Sequence, residues 1–510
     1  MLFFAAPIKK SLAKITGLKP VPTQKLYGKR SQAKSRTHKE RKKPPQKQSQ
    51  GKWLLIWLGL TAVAMLSATA GAILAVSLNS KPLLKAKLTP EEAAVFEQET
   101  AISQDNLSFP KLTRPVNILV LGTKILTSDL KQPPEIDLGY HALVDGYFEG
   151  LTDAMLLIRF NPENSKMSVL SVPRDTRARV EGYGRMKLNA ANYYGGPALT
   201  AKSISNLLEG VAIDRYVRVN VQGMAQLIDA LGGVDVYVPK DMKYTDESQH
   251  LYINLKEGQQ RLDGEKAMHF MRFRYDTYGD IGRVQRQQIL MRALVEQALK
   301  PTTVMRMPKV MDVIQSNIDT NLTIEEIVAL AGFATQSSRS QVQMLMLPGR
   351  FSGDGKEDVS YWLPNRQGIE EMVAQHFDQG YSTLTSTTPA YLRIAIQNST
   401  GERQATNALI NALDSEGYGN INISRRWREP LEVTQIVAQS GDEASAAALQ
   451  AALGFGEVIV ESTGSLTSDV TIRLGADWQN KLSSFSQDRD TELDVDTGEL
   501  GESEEFDERE

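Results

Sequence analysis

Apolar residues along the middle of the chain follow two different periods, which separate predicted strands from predicted helices. Short apolar runs that are typical of buried strands occur at residues 117–122, 154–160, 167–172, 215–220, 234–238 and 341–347. Apolar residues at spacings of three and four predict amphipathic helices at residues 199–208, 224–231, 283–299 and 323–334. Strands that alternate with helices in this way predict an α/β sandwich.

A Ser/Thr/Pro-rich break at residues 382–389 separates this region from a second, smaller unit. Strands and helices alternate again in the second unit, with predicted strands at residues 392–397, 433–438, 458–461 and 470–474 and predicted helices at 402–416 and 443–453. We therefore expect a second α/β domain, and its sequence contains no cluster of candidate catalytic groups.

Residues 53–78 carry no charged side chain and form a run long enough to span a bilayer as a helix. Trp53 and Trp57 lie at one end of this run, where aromatic residues favour the membrane interface. The first 52 residues hold 15 Lys or Arg and one Glu, so positive charge precedes the span. This asymmetry predicts a signal anchor with a cytoplasmic N-terminus and the rest of the chain outside the cell membrane.

The patterns together predict six regions along the chain. They are a basic disordered cytoplasmic arm (1–52), a transmembrane anchor (53–78), a stalk (79–115), a main domain (116–380), a smaller domain (390–478) and an acidic disordered tail (479–510). Residues from Asp488 onward include 12 acidic side chains, which favours a solvated tail over a folded one.

The composition also narrows the chemistry that the chain can perform. It contains no Cys, which excludes disulfides, thiolate metal ligands and a cysteine nucleophile. No Walker loop, His-Glu-x-x-His motif or Gly-x-Ser-x-Gly motif is present. The basic arm precedes the predicted membrane span and the body lacks a helix-turn-helix pattern, so we do not expect a nucleic-acid partner.

Residues 271–287 contain the most concentrated candidate chemistry. Arg272 and Arg274 alternate with apolar neighbours in a run predicted to be a strand, so they would share one face. Arg283, Arg286 and Gln287 follow at helical spacing near the start of the next predicted helix. Guanidinium groups that converge on a helix N-terminus indicate a phosphate or pyrophosphate site. A solvated face, with ion pairs to the neighbouring aspartates, is an equally supported interpretation of this stretch alone.

Two further polar groups lie at the ends of predicted strands. Arg174 and Asp175 follow the strand at residues 167–172, and Asp153 precedes the strand at residues 154–160. A single aspartate in such a place is usually a turn or capping residue. Near a pyrophosphate, however, Asp153 could bind Mg²⁺, which prefers carboxylate and phosphate oxygens.

The order and spacing of several motifs closely resemble the LytR-CpsA-Psr (LCP) family. The resemblance covers about residues 116–300, and residues 392–478 resemble the LytR accessory domain that often follows in that family. The matching motifs are Asn117-Ile118-Leu119-Val120-Leu121-Gly122, Thr152-Asp153, Ser171-Val172-Pro173-Arg174-Asp175, Lys187-Leu188-Asn189-Ala190-Ala191, Gly195-Gly196-Pro197, Asp229-Ala230-Leu231-Gly232-Gly233-Val234-Asp235-Val236, Leu262-Asp263-Gly264, Arg272-Phe273-Arg274 and Asp280-Ile281-Gly282-Arg283-Val284-Gln285-Arg286-Gln287.

The resemblance implies a three-layer sandwich with a mixed central sheet and an extracytoplasmic phosphotransferase activity. Such enzymes transfer a glycopolymer from a polyprenyl-pyrophosphate carrier to peptidoglycan, and pyrophosphate hydrolysis would be a side activity. The helices around residues 204–208 and 227–231 are candidate walls for the prenyl tail.

The resemblance also assigns roles to individual residues. The family's pyrophosphate-binding arginines fall on Arg174, Arg272, Arg274 and Arg283, and its Mg²⁺-binding carboxylate falls on Asp153. Its acidic residue before the long helix falls on Asp280, which would lie near the metal or serve as the base for the attacking hydroxyl. Arg286, Gln287 and Lys124 complete the expected substrate-binding set, and Arg174, Asp280 and Arg283 are the expected catalytic residues.

The chain departs from the family pattern at two positions. Gly122-Thr123-Lys124 stands where the family commonly has Gly-x-Asp, and Leu151 replaces a usual arginine. Lys124 could bind phosphate as a point charge, and Asp129 or Asp137 could supply the missing carboxylate. These changes leave open an alternative function, a non-catalytic polyprenyl-phosphate-binding or regulatory envelope protein.

Overall fold

A computed structural model describes residues 83–96, 101–103, 110–123, 148, 150–246, 251–273, 280–337, 341–352, 361–379, 388–439, 441–465 and 467–482. The predicted basic arm, the predicted anchor at residues 53–78 and most of the predicted acidic tail lie outside these ranges. Within them, no helix combines the length and apolar character needed to cross a membrane.

The helices and strands carry the following bounds in chain order. The strands are β1 (Val116–Thr123), β2 (Thr152–Asn161), β3 (Lys166–Val172), β4 (Arg177–Val180), β5 (Gly184–Lys187), β6 (Arg215–Asn220), β7 (Val234–Val238), β8 (Met242–Asp246), β9 (Leu251–Leu255), β10 (Gly258–Leu262), β11 (Ile318–Thr320), β12 (Val342–Met346), β13 (Gly349–Phe351), β14 (Trp362–Pro364), β15 (Ile394–Asn398), β16 (Ile421–Ile423), β17 (Gln435–Ala438), β18 (Glu457–Val460) and β19 (Val470–Leu474). The α-helices are α1 (Pro90–Ala93), α2 (Ala191–Leu207), α3 (Val221–Leu231), α4 (Gly264–Arg272), α5 (Asp280–Leu299), α6 (Met307–Asn317), α7 (Ile324–Gln336), α8 (Arg366–His376), α9 (Arg403–Ser415), α10 (Glu443–Leu453) and α11 (Trp478–Lys481).

The main domain is built on a mixed central sheet, as the resemblance implied. Six strands of the described chain form it in the order β11-β6-β1-β2-β3-β12. β1 pairs antiparallel with β2 and parallel with β6, while β12 pairs parallel with β3. The parallel pairs need helical crossovers, which explains why helices separate these strands in sequence.

Helices cover both faces of the central sheet, because each of its strands alternates its side chains between two cores. Leu119, Leu121, Met155 and Leu157 face a core that includes Ala198, Ala201 and Ile204 of α2. Ile118 and Leu156 point the other way, toward cores that hold residues of α7 and α5, respectively. The sheet therefore forms the middle layer of three.

Residues 83–96 pack against the main domain. Thr89 caps α1 through a capping box, as the Thr-Pro-Glu-Glu sequence indicates. Phe96 is buried, and its ring centroid lies 5.2 Å from that of Tyr216 on β6. The backbone N–H of Ala86 donates to Asp319 Oδ1 of β11 at 2.7 Å. This part of the predicted stalk is thus held on the edge of the sheet.

The strand predicted around Arg272 is wrong, because these residues end helix α4. Asp263 caps the helix by accepting a hydrogen bond from the Lys266 N–H at 2.8 Å. Ala267 and Phe270 then bury one helical face in a core with α3, β7 and β9. The alternation of arginine with apolar residues suits either structure over so short a run, and the buried helical face decides between them.

The smaller domain contains its own mixed sheet, in the order β16-β15-β19-β17-β18 across the described residues. Its edge meets the free edge of β12 in the central sheet. There the N–H of Ser462 donates to Met344 O at 2.9 Å, and the Met346 N–H donates to Ser462 Oγ at 3.0 Å. The two sheets are joined by backbone hydrogen bonds as well as by side chains.

Candidate functional site

A cleft lies between the central sheet and helices α3, α4 and α5. It encloses about 1040 Å³ of empty space up to its open mouth. Its wall is mostly apolar, from the sheet side (Val120, Ala154, Met155, Leu156, Val172, Pro173, Val219) and from the segments that cover it (Val221, Met224, Met271, Leu290, Met291, Leu294). Such a surface suits an extended hydrocarbon chain.

An ion pair lies where this apolar wall reaches the ends of β2 and β3. Arg174 Nη1 donates to Asp153 Oδ1 at 2.9 Å, and Arg174 Nε donates to Asp175 Oδ2 at 3.3 Å. Asp175 also accepts from Lys187 Nζ at 2.7 Å. Arg174 and Asp153 keep about a third of their side-chain surface exposed, so both remain accessible to a ligand.

Two predicted residues from other elements join this pair. Gln287 of α5 lines the cleft, and its Nε2 donates to the backbone oxygen of Asp153 at 3.4 Å. Arg272, the last residue of α4, also lines the cleft. The fold thus brings together Asp153, Arg174, Arg272 and Gln287 from four separate stretches of sequence, as the sequence hypothesis required.

Arg286 is placed differently from its predicted neighbours. Its side chain is buried, its Nη2 donates to the backbone oxygen of Phe273, and its guanidinium carbon lies 5.7 Å from the centroid of the Phe273 ring. These contacts secure the end of α4 to α5. A role for Arg286 in binding substrate stays a prediction.

Several of the predicted site residues have no described side chain. Lys124 and Arg274 lie outside the described residues, as do Asp129 and Asp137. Asp280 and Arg283 belong to α5, whose first turns lead to Gln287, but only their backbone is described. Their roles stay predictions that rest on the resemblance.

The predicted walls for the prenyl tail are wrong. Ile204 and Leu208 are fully buried in the core on the opposite face of the sheet, and Ile228 is fully buried between α3 and its neighbours. The cleft is lined instead by Leu290, Met291 and other residues of α5. Periodicity marks both sets as apolar, and it does not distinguish a filled core from the wall of an open cleft.

The described residues offer few groups for holding a metal. They contain no cluster of three or more His, Asp or Glu side chains arranged for metal binding. Asp153 is the carboxylate among the described residues that line the cleft. A hard cation there would need oxygen ligands from the substrate, which is how Mg²⁺ is commonly bound beside phosphates.

His269 lies one turn before Arg272 on α4. Its pKa is lowered, mainly because burial disfavours the charged imidazole, with a further contribution from Arg272. Its Nε2 lies 3.9 Å from Glu265 Oε1. These contacts place His269 in the packing of α4, as its sequence position suggested.

Comparisons with known proteins match both domains. The model of the LytR_cpsA_psr family matches residues 84–378, and the model described as LytR cell envelope-related transcriptional attenuator matches residues 391–478. The polyisoprenyl-teichoic acid–peptidoglycan teichoic acid transferase TagV of Bacillus subtilis is 30% identical over 249 residues, which cover 47% of this chain and 63% of TagV. The regulatory protein MsrR of Staphylococcus aureus is 36% identical over 173 residues, or 34% of this chain and 51% of MsrR.

The matched region spans roughly half to two thirds of the length of these two relatives. Among solved structures, that of B. subtilis TagV aligns with a TM-score of 0.43 at 26% identity, over 52% of this chain and 98% of TagV as crystallised.

Proposed function

The chain belongs to the LytR_cpsA_psr family, and from that premise we propose that it transfers a glycopolymer from a polyprenyl-pyrophosphate carrier to peptidoglycan. One observation carries this proposal. The cleft joins a long apolar wall to a charged mouth that contains Asp153, Arg174 and Arg272. A polyprenyl pyrophosphate has the same division, with a hydrocarbon tail attached to an anionic head.

The apolar wall would bind the tail. Each buried methylene group contributes about 0.8 kcal/mol, so even a few isoprene units give substantial affinity. Met224, Met271 and Met291 are flexible side chains that adjust to an irregular chain. The tail would enter between the sheet and α5 and hold the pyrophosphate at the mouth.

The charged residues would bind the head group. Arg174 and Arg272 can donate several hydrogen bonds to phosphate oxygens, since guanidinium groups match phosphate geometry. In the proposed step, a peptidoglycan hydroxyl oxygen forms a bond to the phosphorus that carries the glycan. The bond from that phosphorus to the bridging oxygen breaks, and polyprenyl phosphate leaves with the electron pair.

The hydroxyl proton needs an acceptor, and we assign this role to Asp280 at the start of α5. The arginines stabilise the negative charge that develops on the leaving phosphate. Mg²⁺, when bound between Asp153 and the phosphates, would supply further charge neutralisation. This chain differs from the family pattern at Lys124, which we propose as a further phosphate contact.

We also propose that residues 53–78 anchor the chain in the cell membrane, with both domains outside. The charge-free run and its basic flank support this topology. Protease added to intact spheroplasts should digest the two domains and leave the basic arm protected. Digestion of the arm alone would contradict the topology.

The transfer can be tested with the full chain in lipid nanodiscs, a polyprenyl-pyrophosphate-linked glycan as donor and isolated peptidoglycan as acceptor. We expect Arg174→Ala and Arg272→Ala each to reduce transfer by about 10²-fold or more, as for removal of one charge-stabilising group. Arg366→Ala is the matched control, because Arg366 is exposed on α8 and pairs with Glu370. Wild-type activity in both cleft variants would contradict the site.

A second candidate function is non-catalytic binding of a polyprenyl phosphate in regulation. The name of MsrR, a regulatory protein, and the Lys124 and Leu151 substitutions favour it. Donor binding by the wild-type chain without transfer or pyrophosphate hydrolysis, at any Mg²⁺ concentration, would support this second function. Turnover that depends on Arg174 would exclude it.

A further inference from the structure

The β4–β5 hairpin starts two residues after Arg174 and carries a row of cations on one face. Arg177 lies directly opposite Lys187, and Arg179 lies directly opposite Arg185. Paired residues in antiparallel strands share a face, so all four side chains point the same way. The other face of β4 holds Ala178 and Val180, which are buried in the main core.

Like charges placed directly opposite each other destabilise a hairpin. The inner pair is partly compensated, because Lys187 binds Asp175 and both cations lie within 6 Å of the Tyr361 ring. The outer pair, Arg179 and Arg185, is exposed and has no ion pair within the part of the chain that the structure describes. Glu181, the carboxylate next to it in sequence, pairs with Lys202 instead.

An aromatic surface lies at the tip of the same hairpin. Tyr183 is 48% exposed, and its ring stacks on Tyr194 of α2 with centroids 4.3 Å apart. Tyr193 contacts Tyr194 edge to face at 5.2 Å. Gly182 and Gly184 have φ values of +79° and +83°, so the tip turns tightly and holds Tyr183 outward.

We propose that this hairpin face binds the anionic glycan part of the donor, a chain of sugars or polyols joined by phosphodiesters. The inference rests on the proposed function and names the part of the substrate that lies beyond the pyrophosphate. The cation pairs follow Arg174 outward along the hairpin, so a polymer whose pyrophosphate lies at the cleft mouth would reach them next. The exposed tyrosine stack offers a flat apolar surface for a sugar ring.

The spacing of the cations fits this occupant. Successive pairs are two residues apart, or about 7 Å along a strand. Each arginine can donate two hydrogen bonds to one phosphate, and the guanidinium keeps its charge at any physiological pH. The row therefore offers phosphate contacts at regular intervals rather than at a single point.

Binding of a lipid-free polymer tests this assignment separately from catalysis. The full chain, in nanodiscs of zwitterionic lipid, is titrated with soluble poly(glycerol phosphate) in low salt, with neutral dextran as the uncharged comparison. We expect Arg179→Gln/Arg185→Gln to weaken polymer binding about tenfold or more, because two charge-assisted contacts are lost. Arg179→Lys/Arg185→Lys should recover part of the affinity.

The control is Arg366→Gln/Arg403→Gln, which removes the same charge from exposed positions on α8 and α9. Equal binding by the hairpin variant and this control would overturn the inference while leaving the proposed transfer intact. A loss of binding to phosphatidylglycerol vesicles alone, with polymer binding unchanged, would also overturn it. Polymer binding that depends on Arg179 and Arg185, in a chain that transfers nothing, would support the glycan site and contradict the transferase.

Discussion

Asp153 and Arg174 form the ion pair at the mouth of the cleft, and their partial exposure limits what the pair contributes to folding. Partly exposed ion pairs contribute about 0–1 kcal/mol, because solvent screens them and the side chains lose freedom. The same exposure leaves both groups available to a phosphate. Their arrangement therefore matters more for binding and transfer than for stability.

The variant Asp153→Asn tests this separation at the level of one residue. It keeps the side chain's shape and removes its charge, so we expect glycan transfer to fall by about 10²-fold. The melting temperature should change by less than about 2 °C, as measured by circular dichroism. Asp235→Asn is the control, since Asp235 forms exposed ion pairs with Arg261 and Lys300 away from the cleft. Equal losses of activity in the two variants would contradict a special role for Asp153.

His376 gives a pH dependence that can be worked out from its surroundings. Burial lowers its pKa below the usual 6.5, although a hydrogen bond to Gly441 O opposes this shift. As the pH falls below about 6.5, the unfolded chain binds a proton before the folded chain does, and stability is lost. Above about 6.5 this contribution is fully present.

We therefore expect the denaturation midpoint to decrease between pH 7.5 and pH 5.5, and His376→Gln to reduce that decrease. The less buried His269 shifts in the same direction, so His269→Gln should reduce it less. Urea titrations at several pH values measure the effect. A His376→Gln variant that keeps the wild-type pH dependence would show that other groups cause it.

Among the elements, α4 shows how packing between helices positions a site residue. Gly264 at its first turn has backbone against α3, and its N–H donates to Asp229 Oδ1 at 2.8 Å. A Cβ at this position would lie 2.1 Å from Ala225 O. This close approach of two backbones sets the direction of α4 and so the place of Arg272 at its end.

The pair Gly264→Ala and Gly332→Ala tests this packing. We expect Gly264→Ala to destabilise the chain by about 1–3 kcal/mol, because the backbone of α3 must move. Gly332 lies within α7, where an added Cβ would meet no described atom within 4 Å, so alanine there should stabilise by up to about 1 kcal/mol. Thermal melts of both variants give the comparison, and two changes of the same sign would contradict it.

At the scale of the whole molecule, α5 connects the cleft to the smaller domain. One side of the helix lines the cleft through Gln287 and Leu290. On another side, Arg292 Nη1 donates to Glu461 Oε1 at 2.9 Å, and Gln285 Nε2 donates to Gly464 O at 3.2 Å. Movement of the smaller domain would therefore act directly on the helix that carries Asp280 and Arg283.

Glu461 is the charge on which this junction depends. It is nearly fully buried and lies between Arg292 and Arg473, whose Nη1 is 3.6 Å from Glu461 Oε2. Arg473 is itself completely buried, with its guanidinium 3.9 Å from the centre of the Trp427 ring. Removing one member of such a group leaves the remaining buried charges uncompensated.

We expect Glu461→Gln to cost about 3–5 kcal/mol of unfolding free energy in guanidinium titrations of the full chain. Glu443→Gln is the control, since Glu443 forms an exposed pair with Lys166 across the same junction and should cost about 1 kcal/mol or less. A small effect of Glu461→Gln would show that the buried arginines find other compensation.

The sequence alone determined most of the elements in both domains and several of their ends. The helix at residues 443–453 and the strand at residues 470–474 occur at the predicted bounds, and Thr323 caps α7 as its motif indicated. These features depend on contacts within a few residues, which local patterns record. The short polar strands of the β4–β5 hairpin were missed, because their exposed faces interrupt any apolar run.

Only the tertiary structure decided which residues share the site. Asp153, Arg174, Arg272 and Gln287 meet because distant strands and helices converge, and the motif order could list them without giving their distances. Tertiary packing also decided that Arg272 ends a helix, and that α5 lines the cleft while Ile204 fills a core. An apolar side chain records in sequence that it avoids water, and the fold determines whether protein or a ligand covers it.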